Sequence, residues 1–197
     1  MKYLLTVLCL ISLVVMNAQN KDNEELPYYE IPDYPESYSA GTVVSRMIDG
    51  LGFRYYWATE NLRETDLAYR PGKDSRSADE TLDHILGLSR VILNSALQKP
   101  NDGSQSGEET LSFTEKRSQT LNNLRKASLV FLEADHLEEH PVIFRNADRE
   151  TAFPFWNQIN GPIADALWHC GQIVSLRRQS GNPFPKGVSV FLGNRQN

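Results

Sequence analysis

The stretch "DALWHCGQIVSLRRQSGNP", residues 165–183, places an acid at Asp165 and an imidazole at His169 one turn apart on an otherwise apolar segment. Residues four apart on a helix lie side by side, with Cβ atoms about 5–6 Å apart. A helix is predicted from about Phe155 to Gln179. It stops at Gly181, with Pro183 just beyond, a normal helix exit. Gly161-Pro162 inside this span should kink the helix or mark its true start. If the helix starts at Pro162, Asp165 could be a first-turn acid serving the macrodipole. Otherwise Asp165 and His169 serve either the surface or something bound.

Three further helices are legible upstream. The first spans about Thr42 to Leu62, with Val43, Met47, Ile48, Leu51, Tyr55, Ala58 and Leu62 at helical spacing. The second opens on "SADE" (Ser77 to Glu80), a capping-box pattern, and carries the stripe Leu82, Ile85, Leu86, Ser89, Ile92, Leu93 and Ala96. The third opens on a second capping box, "SFTE" (Ser112 to Glu115). It runs through Leu121, Leu124, Ala127, Phe131 and Leu132 to an end near His140-Pro141. Between the second and third lies "NDGSQSGEET", a surface loop without an apolar residue. The tail "GVSVFLG" is the sole period-2 strand candidate and is too short to build a sheet. The pattern predicts an all-α four-helix bundle over 39–185, followed by a tail at 186–197.

The chain has 197 residues, a net charge of -5 and 40% hydrophobic content, which suits one domain with its own core. That charge argues against a nucleic-acid surface. The basic residues are scattered, with "LRR" at Leu176–Arg178 the nearest approach to a patch. Residues 1–18 read as a signal peptide: Lys2 as n-region, Leu4 to Val15 as h-region, and cleavage after Ala18. The apolar run is short for a span of about 20 residues, so no membrane span is expected once it is removed. Cys9 leaves with it, and the exported chain, periplasmic or extracellular, keeps one cysteine, Cys170. No internal disulfide can then form, and Cys170 should be buried. Residues 19–38 are acidic, with three prolines and four tyrosines. They read as a linker or arm that keeps the domain clear of the membrane, although the tyrosines could strap it down.

Bundles build metal sites from side chains on facing helices. His84 on the second helix, with Asp165 and His169 on the fourth, would supply two imidazoles and a carboxylate, with positions left for water and substrate. Glu80, one turn before His84, could act as a base, but its capping role explains it without chemistry. "HLEEH" (His136 to His140) has the letters of an H-x-x-E-H metalloprotease motif. Pro141 follows at once, and the surrounding acids read as a solvated face. Tyr56, Trp57 and Trp168 could complete a cavity or belong to the core.

Taken together, "ETLDHILGLSR" (80–90) and the 165–183 stretch resemble the DinB/YfiT-like family over roughly Gly41 to Pro183. The resemblance implies a four-helix bundle, often dimeric, that binds a divalent metal through three histidines. It also implies thiol-dependent transferase or isomerase chemistry, or a related hydrolase. His84 and His169 match two ligand positions, and Gln172 matches a glutamine of the last-helix motif, in a supporting role. Asp165 stands where the family pattern has histidine. The implied cofactor is a divalent ion such as zinc, nickel, iron or manganese, acting on a small-molecule substrate. Alternatively, Asp165 marks a weakened site, and the bundle is a non-catalytic envelope or stress-related binding protein.

Overall fold

A computed structural model describes residues 26–103 and 111–196. The leader expected at 1–18, with its cleavage after Ala18, and residues 19–25 of the arm lie outside the described residues. The described chain is mostly helical, with a small sheet.

Four long helices carry the core: α1 (Ala40–Thr59), α2 (Ala78–Ala96), α3 (Phe113–Leu132) and α4 (Ala164–Gln179). The first three begin at capping boxes. Ser39, Ser77 and Ser112 each accept from the amide three residues on, and Thr42, Glu80 and Glu115 reach back. These reciprocal bonds satisfy amides that a helix start leaves unpaired. Helix α1 packs on α3 and α4, and α2 packs on the same two, so the four close a ring. Inside it meet Ile48, Leu51 and Tyr55 of α1, Leu82, Ile85 and Ile92 of α2, Leu121, Leu124 and Phe131 of α3, and Cys170, Ile173 and Leu176 of α4. Each large apolar side chain buried this way contributes about 1.5–3 kcal/mol.

The last helix starts earlier than α4. A helical turn at Trp156–Gln158 runs into a π-turn at Ile159–Ile163, which continues directly into α4. Pro162 lacks an N–H and its ring crowds the carbonyl four residues back. The wider π-turn carries the helix past it.

Two expectations need correction. The third helix ends at Leu132, not near His140, and a 3-10 turn at Leu137–Glu139 follows. A hairpin also occurs where no strand was expected: β2 (Val142–Asn146) pairs antiparallel with β3 (Arg149–Phe153), and β1 (Asn101–Asp102) runs parallel to β2. Its residues are mostly exposed on both faces, so no apolar alternation marks them. In the tail, β4 (Val188–Ser189) pairs with β5 (Asn194–Arg195).

The arm is strapped to the helices rather than free. Tyr28 is buried and donates to Asp49 Oδ1 at 2.9 Å, where Ser128 Oγ also donates at 2.6 Å. Trp57 Nε1 donates to Tyr29 O, Arg46 to Pro32 O, and Ile31 N to Gly193 O. Over these residues the arm is strapped down, the alternative the tyrosines allowed: Tyr28 buries against α1, while Tyr29, Tyr34 and Tyr38 stay exposed. Gly52 makes room for the strap. A Cβ there would lie 2.4 Å from the Tyr28 ring.

The far end of the ring is tied by two side chains. Arg177, buried at 2% exposure, donates to the carbonyls of Trp57, Ala58 and Glu60, which caps the C-terminus of α1. So "LRR" is not a surface patch. Asp66 is fully buried and accepts from Arg63, Ser180 Oγ and Asn182 Nδ2, linking the turn after α1 to the end of α4. The Arg63 guanidinium, aided by the two neutral donors, holds the Asp66 carboxyl well below the usual carboxylate range.

Gly52→Ala should dislodge Tyr28 and cost about 1–3 kcal/mol. At about 2–4 °C per kcal/mol for a chain of this size, the loss is visible in thermal unfolding. An unchanged Tm would mean that Tyr28 does not dock on Gly52. Asp66 also predicts a pH dependence. Its folded pKa lies below the unfolded value of about 3.9, so the native chain binds fewer protons than the unfolded one as pH falls. The stabilisation is complete above about pH 5 and declines as pH drops through the carboxylate range toward the lower folded value. Asp66→Asn should flatten that acid limb in denaturant titrations, and a parallel limb would remove Asp66 as its cause.

Candidate metal centre

His84 sits in the second turn of α2, on the side that meets α4. Its position follows from the Ser77–Glu80 cap, which fixes where α2 begins and hence which residues face its neighbour. Asp165 and His169 sit four apart in the first half of α4. Because the preceding turns are helical, Asp165 is not at a free helix start, and the macrodipole explanation loses its basis.

The Asp165 carboxylate instead bridges both imidazoles. His84 Nε2 lies 3.0 Å from Asp165 Oδ2, and His169 Nε2 lies 3.3 Å from Asp165 Oδ1. The two rings stand edge to face, 4.6 Å between centroids at 88°. One ligand atom from each residue lies within 4.8 Å of the other two, a spacing that small side-chain adjustments would close around one ion. The side chains of His84, Asp165 and His169 are 32%, 40% and 16% exposed, so the cluster is rooted between two helices and open on one side.

Gln172 stands behind His169, with Oε1 2.8 Å from Nδ1. An amide oxygen can only accept, so Nδ1 carries a proton and Nε2, on the Asp165 side, is the nitrogen left to meet an ion. Metal-binding histidines are held in this way by a partner on the other ring nitrogen.

The remaining candidates fall away. Glu80 accepts from the Ser77 amide and pairs with Arg70, which together lower its pKa, so it is committed to the helix cap and not poised as a base. The His136–His140 motif lies in a loop and a 3-10 turn. There His136 is exposed beside Glu138, while His140 is buried with Nδ1 3.0 Å from Ala96 O. The two imidazoles do not share a helix face, which the protease arrangement requires. Trp57 is core, and Tyr56 stacks under Arg117, at the end of α1. Trp168 is not core: it is 78% exposed on α4. A cleft of about 870 Å³ runs along α2 past Asp83, Gly87 and Arg90 to Asn101 and Arg145, beginning beside His84 but not including it.

On its inner side, α4 buries Cys170 at 2% exposure, and burial pushes its thiol up to about 12. No known family, curated protein or solved structure matches this chain.

In the Cys9→Ser chain, where Cys170 is the sole thiol, Ellman's reagent at pH 8 should find no reactive group until guanidinium is added. Reaction in the native state within minutes would mean that Cys170 is not buried as described.

Proposed function

We propose that this chain is an exported, DinB/YfiT-like four-helix bundle that binds one divalent ion through His84, Asp165 and His169. We further propose that it uses the ion to act on a small molecule, by hydrolysis or thiol-dependent group transfer. The observation that carries the reading is the meeting of three ligand atoms from two separate helices, held by Gln172 and open on one side. The leader-like residues 1–18 support export, and the ring of four helices supports the bundle.

The charges favour a cation at this point. Asp165 Oδ1 lies 3.3 Å from His169 Nε2 and Oδ2 lies 3.0 Å from His84 Nε2, so a cation seated among them would meet one carboxylate and two imidazole nitrogens. Two imidazoles and one carboxylate suit zinc, iron and related divalent ions, and the carboxylate makes the set one charge more negative than three histidines.

Bound there, such an ion would lower the pKa of a water or hold a thiolate or carbonyl of the substrate. The chain's own contribution is to hold the ligands. His84 and His169 present lone pairs, Asp165 balances charge, and Gln172 keeps the His169 proton on the far nitrogen. The 40% exposure of Asp165 leaves the approach for substrate.

Protein purified without chelator should carry near one equivalent of zinc, nickel, iron or manganese by plasma mass spectrometry. Asp165→Ala and His169→Ala should lose it while keeping their helical circular dichroism. Gln172→Ala should keep the site but bind the ion roughly 10–100-fold more weakly. A folded wild-type chain that stays metal-free after reconstitution would sink the reading.

A further inference from the structure

Where the tail folds back on itself, it holds apolar side chains out in water. The turn between β4 and β5 carries Val190, Phe191 and Leu192, which are 45%, 93% and 45% exposed. Three consecutive apolar residues in solvent weaken a fold unless they meet something.

Local bonds fix this tip in place rather than letting it fold back for cover. Gly193 N donates to Ser189 O at 2.8 Å, and Leu192 N donates to Ser189 Oγ at 3.2 Å. Gly193 O accepts from Ile31 N, which pins the hairpin to the arm. Gly193 sits at φ +75°, and a Cβ there would come within 2.7 Å of the Ile31 side chain. At the base of the hairpin the Arg195 guanidinium lies over the Trp57 ring, 5.4 Å from its centroid. Tyr29 of the arm packs against the same ring.

We infer that the 190–192 tip inserts into the interfacial layer of a lipid bilayer, so that the domain rests on a membrane without spanning it. Among the described residues no helix is long and apolar enough to cross one. The size of the tip favours a bilayer over a protein partner. Its three side chains expose on the order of 300 Å², whereas a specific protein interface buries about 800 Å² on each side. A bilayer sets no such minimum, and interfacial insertion of about 5–10 Å takes up a tip of this size. The flanking charges fit that depth. From Lys186 to Asn197 the chain holds two cations, Lys186 and Arg195, and no acid. Both lie four or five residues from Phe191, on the order of 13–17 Å at strand rise, where lipid headgroups would meet them. Glu30 adjoins Ile31 in the arm, so the base is near charge balance and apolar area supplies the attraction. Position agrees as well. On the export reading above, the arm leads from the leader-like residues 1–18, and it meets the hairpin at Ile31 and Trp57. The tip therefore stands on the face where the chain arrives from the membrane during export.

Cosedimentation of the processed chain with phosphatidylcholine vesicles tests this, with intact mass showing whether residues 1–18 are gone. Wild type should bind, and binding should survive raised salt, because apolar insertion is not screened. Phe191→Ser should bind about tenfold more weakly with unchanged circular dichroism, since a side chain 93% exposed supports no core. Trp156→Ser, which removes another exposed ring, should bind as wild type does. In the Cys9→Ser chain, Phe191→Cys can carry an environment-sensitive fluorophore, because buried Cys170 stays unlabelled. Its emission should shift to the blue on vesicles. A processed wild type that stays in the supernatant would overturn the inference, as would equal binding by processed Phe191→Ser. So would a fluorophore that remains in water on the bound chain. A chain that keeps residues 1–18 counts against the export reading instead, and there the fluorophore's shift decides the tip.

Discussion

Pro162 withholds a backbone N–H in the middle of the last helix, and the chain passes it through a π-turn instead of breaking. Much of the molecule's character follows from that one constraint. With the helix continuous from Trp156, Asp165 lies inside it and not at a free amino end, where its carboxylate would bond backbone amides. The carboxylate is therefore left to His84 and His169. The same turn brings Gly161 next to Asp165 with open space above it.

Helix α4 then works as a partition. On its inner side Cys170, Ile173 and Leu176 belong to the core, where burial drives the thiol far from reactivity. On the side facing α2, Asp165, His169 and Gln172 form a chain of polar contacts that ends on His84. Its outer shoulder carries an indole in solvent. Each side is set by helical periodicity alone once the phase of the helix is set, and the phase depends on how the chain enters through the π-turn.

A half-open polar cluster between two helices needs those helices held firmly. Polar side chains tie α1 to α4 at one end and to α3 and the arm at its middle. Arg177 spends its guanidinium on the last carbonyls of α1, which would otherwise face the core without donors. Asp66 collects donors from the turn after α1 and from the residues after α4. Tyr28 and Asp49 bind the arm across the outside of α1, with Ser128 of α3 sharing the same carboxylate oxygen. These polar contacts are directional, so they set helix positions in a way that apolar packing by itself does not.

Local chemistry was enough to read the long helices. Capping boxes at Ser77 and Ser112 and the apolar stripes behind them are local signals, and they placed the starts of α2 and α3 to the residue. The three candidate ligands were legible too, since His84, Asp165 and His169 lie at helical positions that can share a face. What sequence could not say was whether α2 and α4 adjoin, because adjacency depends on the packing of the whole ring. Nor could it show that Glu80 is spent on Ser77 and Arg70, that Arg177 is buried, or that Trp168 is exposed. The hairpin at 142–153 escaped notice because its strands are exposed on both faces and so lack the alternation that burial imposes. Periodicity records which face of an element is buried. Which elements meet across that face, and which ionisable groups come together when they do, is decided only when the chain has folded.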